Sequence, residues 1–138
     1  MNIFTPESRP TRIGPAAWFT GTVWMDQITA NPAPSHLVAV RVSFAPAART
    51  AWHTHPLGQT LHVLTGVGLI QLHGQPPQVI RPGDTVSILP NELHWHGATP
   101  THNMSHLAIQ ESDDSGIDVV WLEQVTEEEY AEHAATAG

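Results

Sequence analysis

The sequence predicts an all-β domain with one short helix at its C-terminal end. Runs rich in β-branched and aromatic residues recur roughly every ten residues along the chain. Between them stand 10 glycines and 12 prolines, the residues that punctuate strands. Only the last stretch carries a helix-start signal, at Thr126. Short strands at even spacing describe a β-sandwich or small barrel rather than alternating βα units. With 138 residues the chain makes one domain that can bury a core without staples.

Residues 1–15 hold three prolines and Gly14 without periodicity, which predicts an extended arm; the barrel is expected over 16–125 and the helix and tail over 126–138. Trp18 to Ile28 is aromatic and β-branched, as a strand would be, and Asn31-Pro-Ala-Pro34 ends it. His36 to Ala45 alternates, with Val38, Val40, Val42 and Phe44 on one face and Arg41 and Ser43 on the other. Further strands are expected at Gln59–Thr65, Leu69–His73, Val79–Ile80, Thr85–Leu89, Leu93–His96, Met104–Gln110 and Val119–Val125. Arg81-Pro-Gly-Asp84 is a strong turn. Thr126-Glu-Glu-Glu129 has the form of a capping box, and Tyr130, Ala131, Ala134 and Ala135 give the helix an apolar side.

Composition narrows the functional classes. The chain has no cysteine, so a bound metal would need histidine, amide or carboxylate ligands. A net charge of -8 and the lack of any lysine argue against nucleic acid or an anionic membrane as partner. No long apolar run or secretory leader pattern is present, which makes the cytoplasm the expected location. The acidic residues between Glu111 and Glu132 are expected to form a solvated face.

Of the 10 histidines, placement matters more than number. In Ala51-Trp-His-Thr-His-Pro-Leu-Gly-Gln59, residues i and i+2 of an extended chain share a face. His53 and His55 then project together, Trp52 and Thr54 point away, and the turn at Pro56-Leu-Gly58 brings Gln59 back beside the imidazoles. His94-Trp-His96 repeats that arrangement, and a further strand offers His106 with Ala108 and Gln110 on its face. One His-x-His is weak evidence; two beside Pro/Gly turns point to a metal. His36, His62, His73, His102 and His133 lack such a pairing and are expected at the surface or half-buried.

The spacing resembles the two cupin motifs: Ala47, His53, His55, Gln59 and Gly66 follow the first, and Gly83, Leu89, Asn91 and His94 the second. Ala47 and Asn91 replace motif glycines, and Leu89 replaces a proline found here one position on; Asn is the residue after glycine that best tolerates a left-handed turn. Gln59 stands where most cupins carry a glutamate. A neutral amide leaves the ion its full charge, which favours Lewis-acid chemistry over oxygen activation.

More closely, the chain resembles the bacterial cupin hydroxynitrile lyases through 14–23, 48–60, 94–98, 106–111 and 125–126. The resemblance implies a single-domain cupin β-barrel of jelly-roll type and a homo-oligomer, dimer or tetramer. It also implies a divalent metal, Mn2+ first with Fe2+, Zn2+ and Ni2+ as alternatives, held by His53, His55, Gln59 and His94. Two further histidines at the substrate correspond to His106, the first choice of base, and His96, the second. The reaction implied is cleavage of a cyanohydrin to a carbonyl compound and HCN, with a neutral imidazole taking the hydroxyl proton and returning it to cyanide. Val40, Val42, Leu61 and Val63 are candidates for an apolar substrate pocket, although barrel core is the plainer role for each. Gln110 is expected near the substrate, Thr50 to offer a hydroxyl near the mouth, and Arg49 to make a structural ion pair. Trp52 and Trp95 are expected to pack away from the metal. Another metal-cupin enzyme (dioxygenase, isomerase or oxidative alkene cleavage) and a non-catalytic binding cupin remain the rival readings.

Overall fold

Two antiparallel sheets face each other and bury their apolar sides together, as the period-2 pattern requires. A computed structural model describes residues 1–131 of the chain. Strands are numbered in chain order: β1 Arg12–Ile13, β2 Phe19–Thr20, β3 Val23–Ala30, β4 Leu37–Phe44, β5 Arg49–Thr50, β6 His53–Thr54 and β7 Gln59–Gly66. They continue with β8 Gly68–Leu72, β9 Gln78–Ile80, β10 Thr85–Ile88, β11 His94–Ala98, β12 Met104–Glu111 and β13 Val120–Trp121. One sheet runs β1-β3-β4-β12-β7-β10; the other runs β13-β6-β11-β5-β2, with β8 also on β11 and β9 on β8. The all-β barrel expected from the sequence is the architecture found.

The expected single strand from Trp18 to Ile28 is two. Gly21, at φ 82°, turns the chain between them, and a Cβ there would meet Ala48 at 2.9 Å. β2 thus joins the second sheet while β3 joins the first. The segment read as an arm makes a 3-10 turn at Pro6–Ser8 and then pairs β1 with β3, so β3 has a neighbour on both sides. The last expected strand shortens to Val120–Trp121, though Leu122 and Glu123 still exchange backbone hydrogen bonds with Trp52.

The four glycine positions of the two motifs share one backbone conformation. Ala47 (φ 68°), Gly66 (φ 80°), Gly83 (φ 92°) and Asn91 (φ 63°) all occupy the left-handed region. At Gly66 a side chain is excluded for a second reason, since its Cβ would lie 1.8 Å from the Asn103 carbonyl oxygen.

The main core lies between the sheets and includes Phe19, Val42, Phe44, Leu61, Val63 and Met104. A second cluster of Trp52, Leu69, Trp95, Val125 and Tyr130 packs against the outer side of the second sheet. The C-terminal helix begins at 127 above this cluster. Its capping box is formed: the Thr126 N–H donates to Glu129 Oε1 at 3.0 Å, and the Glu129 N–H to Thr126 Oγ1 at 3.1 Å. Buried Arg49 holds the helix start by donating to the Val125 carbonyl at 3.0 Å and to Glu127 at 3.0 Å, with Tyr130 stacked over its guanidinium. The remainder of the expected tail, with His133, Ala134 and Ala135, lies outside the described residues.

Candidate metal centre

Strand alternation delivers imidazoles to the space between the sheets. On β11, His94 and His96 turn inward while Trp95 turns out to the second cluster. β6 lies antiparallel to β11 with His94 opposite His53, which brings their ring centroids to 4.2 Å. His55 follows just past β6, at 5.0 Å from His53 and 5.5 Å from His94. From the facing sheet come Gln59 on β7 and His106 and Gln110 on β12, where Gln110 sits opposite Gln59 in the register. An irregularity in the pairing between Ser105 and His106 resets the register there. His106 then lies against His96, its Nε2 3.0 Å from His96 Nδ1.

Two groupings of histidines can be drawn. Ring nitrogens of His53, His94 and His96 all lie within 4.8 Å of one another. A different trio shares a hydrogen-bond pattern: Nδ1–H donates to a backbone carbonyl in His53 (Ala51, 2.8 Å), His55 (Asp118, 2.7 Å) and His94 (Glu92, 2.8 Å). A carbonyl can only accept, so each Nδ1 carries the proton and each Nε2 keeps a free lone pair. That tautomer suits a metal ligand, and the carbonyl fixes the ring's aim. His96 differs, because its Nδ1 faces His106 instead of a carbonyl.

Unpaired atoms show what kind of group fits. Among the described residues, His55 Nε2, His96 Nε2 and His106 Nδ1 are buried without a hydrogen-bond partner. Gln59 Oε1 lies 3.4 Å from His94 Nε2. With the His94 proton committed to Glu92, this contact sets one acceptor against another. The lone pairs of His94 Nε2 and Gln59 Oε1 facing each other, with the unpaired His55 Nε2 in the same cluster of rings, are stabilised by a cation between them. The donor set therefore fits a divalent metal.

Burial keeps the imidazoles neutral. It holds His53 and His96 well below the ordinary histidine value, with neighbouring imidazoles adding to the effect. The same cause pushes His94 and His106 down to about 4. Burial also lowers His55, against the opposing pull of the Asp118 carbonyl and carboxylate. Neutral rings offer the lone pairs that metal binding and proton acceptance both need.

A small cavity of about 60 Å³ opens beside these groups, lined by His53, His55, Gln59 and His96 on its polar side. Val40, Val42, Thr50 and Gln110 line it as well. Leu61 does not: it is fully buried in the main core. Thr50 is also buried, and its Oγ1 accepts the His96 backbone N–H at 3.1 Å rather than standing at the mouth. His106 lies outside the lining, so His96 is the member of that pair turned to the cavity. Sequence reasoning missed Phe19, Met25, Ala108, Val119 and Trp121 in the wall, and Asp118 behind it. Of these only Ala108 carried a signal, sharing a strand face with His106. A larger groove of about 530 Å³ between β8–β9 and β10 meets only His94 of the imidazoles.

Comparison with known proteins places this fold in a family. Residues 40–109 match the cupin domain family. An (R)-mandelonitrile lyase from Granulicella tundricola is 52% identical over 130 residues, covering 94% of this chain and 98% of that protein. A cupin-like protein from Thermotoga maritima superposes with a TM-score of 0.83 at 38% identity, covering 96% of this chain and 97% of its own. A polyketide cyclase from Streptomyces resistomycificus shares the fold, with a TM-score of 0.71 at 17% identity over 94% of this chain and 90% of its own.

Proposed function

The chain belongs to the cupin family, and from that premise we propose that it is a metal-dependent hydroxynitrile lyase acting on cyanohydrins such as mandelonitrile. The observation that carries this reading is the near-full-length identity to a bacterial (R)-mandelonitrile lyase. The proposed metal ligands are His53, His55 and His94 through Nε2, and Gln59 through Oε1. The shared carbonyl-bonded tautomer favours His55 over His96 as the third imidazole. A divalent ion held there, Mn2+ in the first instance, supplies Lewis-acid polarisation of a substrate hydroxyl.

The remaining chemistry falls to the chain's own residues. His96 presents an unpaired Nε2 beside the cavity, positioned to take the hydroxyl proton, and His106 backs it through the 3.0 Å contact at Nδ1. As the carbon–carbon bond to cyanide breaks, its electron pair leaves with the cyanide and the carbonyl forms. The imidazole pair then returns the proton to cyanide, releasing HCN and leaving both rings neutral. Val40, Val42, Phe19 and Met25 give the substrate's organic group an apolar wall that excludes water.

The test is benzaldehyde release from mandelonitrile by the manganese-loaded protein in mildly acidic buffer. Release no faster than in buffer, with metal content confirmed, overturns the reading. His96→Ala and His106→Ala should each keep the metal and lose about 100-fold or more in kcat. His55→Ala should lose the metal; retention there with loss in His96→Ala would establish the other trio of ligands.

A further inference from the structure

We propose that the carboxylate of Asp118, a residue outside the cavity lining, is a positioning group that decides which end of the Gln59 amide faces the imidazoles. The proposal rests on the reading of Gln59 as a ligand. A chain of hydrogen bonds runs outward from that residue. Gln59 Nε2 donates to Gln110 Oε1 at 2.9 Å, and Gln110 Nε2 donates to Asp118 Oδ2 at 2.8 Å. The first link follows from register, since Gln59 and Gln110 lie opposite each other on β7 and β12. The second comes from the loop before β13 and joins residues 8 apart in sequence.

The direction of this chain has one chemical origin. An amide has a donor end and an acceptor end, and either can face a neighbour; an ionised carboxylate only accepts. Asp118 therefore requires the NH2 of Gln110, which turns the Gln110 oxygen inward. That oxygen requires the NH2 of Gln59, which leaves Gln59 Oε1 toward His94. Turning one amide alone sets oxygen against oxygen or N–H against N–H. Turning both sets the Gln110 oxygen against the carboxylate. Without the carboxylate, the doubly turned arrangement would satisfy both links and point the Gln59 NH2 at His94 Nε2. The metal-free site would then close on an internal hydrogen bond and present a donor where a metal needs an acceptor. Asp118 also accepts the His55 Nδ1–H through its backbone carbonyl at 2.7 Å, so one loop residue aims two of the proposed ligands.

The same polarity explains why an amide stands at 59. A glutamate there would face Gln110 Oε1 with a carboxylate oxygen. Rotating Gln110 to relieve that contact would turn its oxygen onto Asp118. The substitution Asp118→Asn removes the conflict, because the amide it introduces could donate to the rotated Gln110.

The experiment is a double-mutant cycle of Gln59→Glu and Asp118→Asn, read by thermal melting of the metal-free protein and by Mn2+ affinity. In the natural background, Asp118→Asn should weaken Mn2+ binding about tenfold, the usual scale for groups behind a metal ligand. Gln59→Glu alone should lower the metal-free melting temperature, and adding Asp118→Asn should restore it. Additive melting shifts, or unchanged Mn2+ affinity in Asp118→Asn, overturn the proposal. Gln59→Ala separates the two readings: unchanged Mn2+ affinity there removes Gln59 from the ligand set, while the metal-free cycle still tests the polarity of the chain. If Gln59→Glu does not fold alone, recovery of folded protein on adding Asp118→Asn supports the chain and failure to recover counts against it.

Discussion

β6 and β11, with the residues beside them, carry two clusters on opposite faces, and the two treat their polar atoms differently. On the outer face, buried Trp95 donates its indole N–H to Gln71 at 2.8 Å and Trp52 donates to Glu129 at 3.3 Å. Across the sheet, His55, His96 and His106 each leave a buried ring nitrogen without a partner among the described residues. Burying a polar atom without a hydrogen bond costs about 1–3 kcal/mol, so a face made only for stability would pair such atoms or replace them. The outer face holds the helix on the barrel; the inner one leaves buried ring nitrogens unpaired beside histidines that could hold a metal.

Substitution on the two faces should therefore separate metal binding from stability. His53→Ala is expected to reduce Mn2+ affinity by at least about 100-fold and remove lyase activity while the metal-free protein still melts cooperatively, checked by metal analysis and calorimetry. Trp95→Ala, with its ring fully buried, should cost about 3–5 kcal/mol by denaturant titration yet leave one metal per folded chain. If Trp95→Ala lost the metal at unchanged stability, the division between the faces would fail.

Acid should act on the inner face. His94 and His106 titrate at about 4 in the folded protein, below the ordinary 6.5. As pH falls through 6.5 the unfolded chain takes up protons that the folded chain refuses until about 4, so acidification favours unfolding. Their contribution to metal-free stability is complete above pH 6.5 and is lost toward pH 4. The metal-free melting temperature should fall over that window, and saturating Mn2+ should reduce the fall. A flat profile for the metal-free protein would contradict neutral burial of these rings. The smallest effect concerns neither face: Ala47→Gly, relieving a side chain at φ 68°, should raise the melting temperature by about 3 °C.

Much of the inner face was legible because it follows from local periodicity. Residues i and i+2 share a side of a strand, so the His53/His55 and His94/His96 pairs and the outward turn of both tryptophans needed no tertiary information. The motif spacing likewise marked Ala47 and Asn91 as glycine positions, and both take the left-handed conformation. Leu61 was harder: alternation gave its face, but its depth in the core depends on what the opposite sheet places there. Gly21 illustrates another limit, since strand propensity has no term for which sheet a strand joins.

The sequence by itself determined the β class, the helix cap and the strand face shared by each of the pairs His53/His55 and His94/His96, because backbone geometry sets these within a few residues. Only the tertiary structure decided that His106 backs His96, that Trp121 and Met25 close the cavity, and that Asp118 stands behind Gln110. Those relations join strands and loops far apart in the chain. They depend on register, on an irregularity in one ladder and on the polarity of hydrogen bonds between side chains, none of which a local pattern encodes.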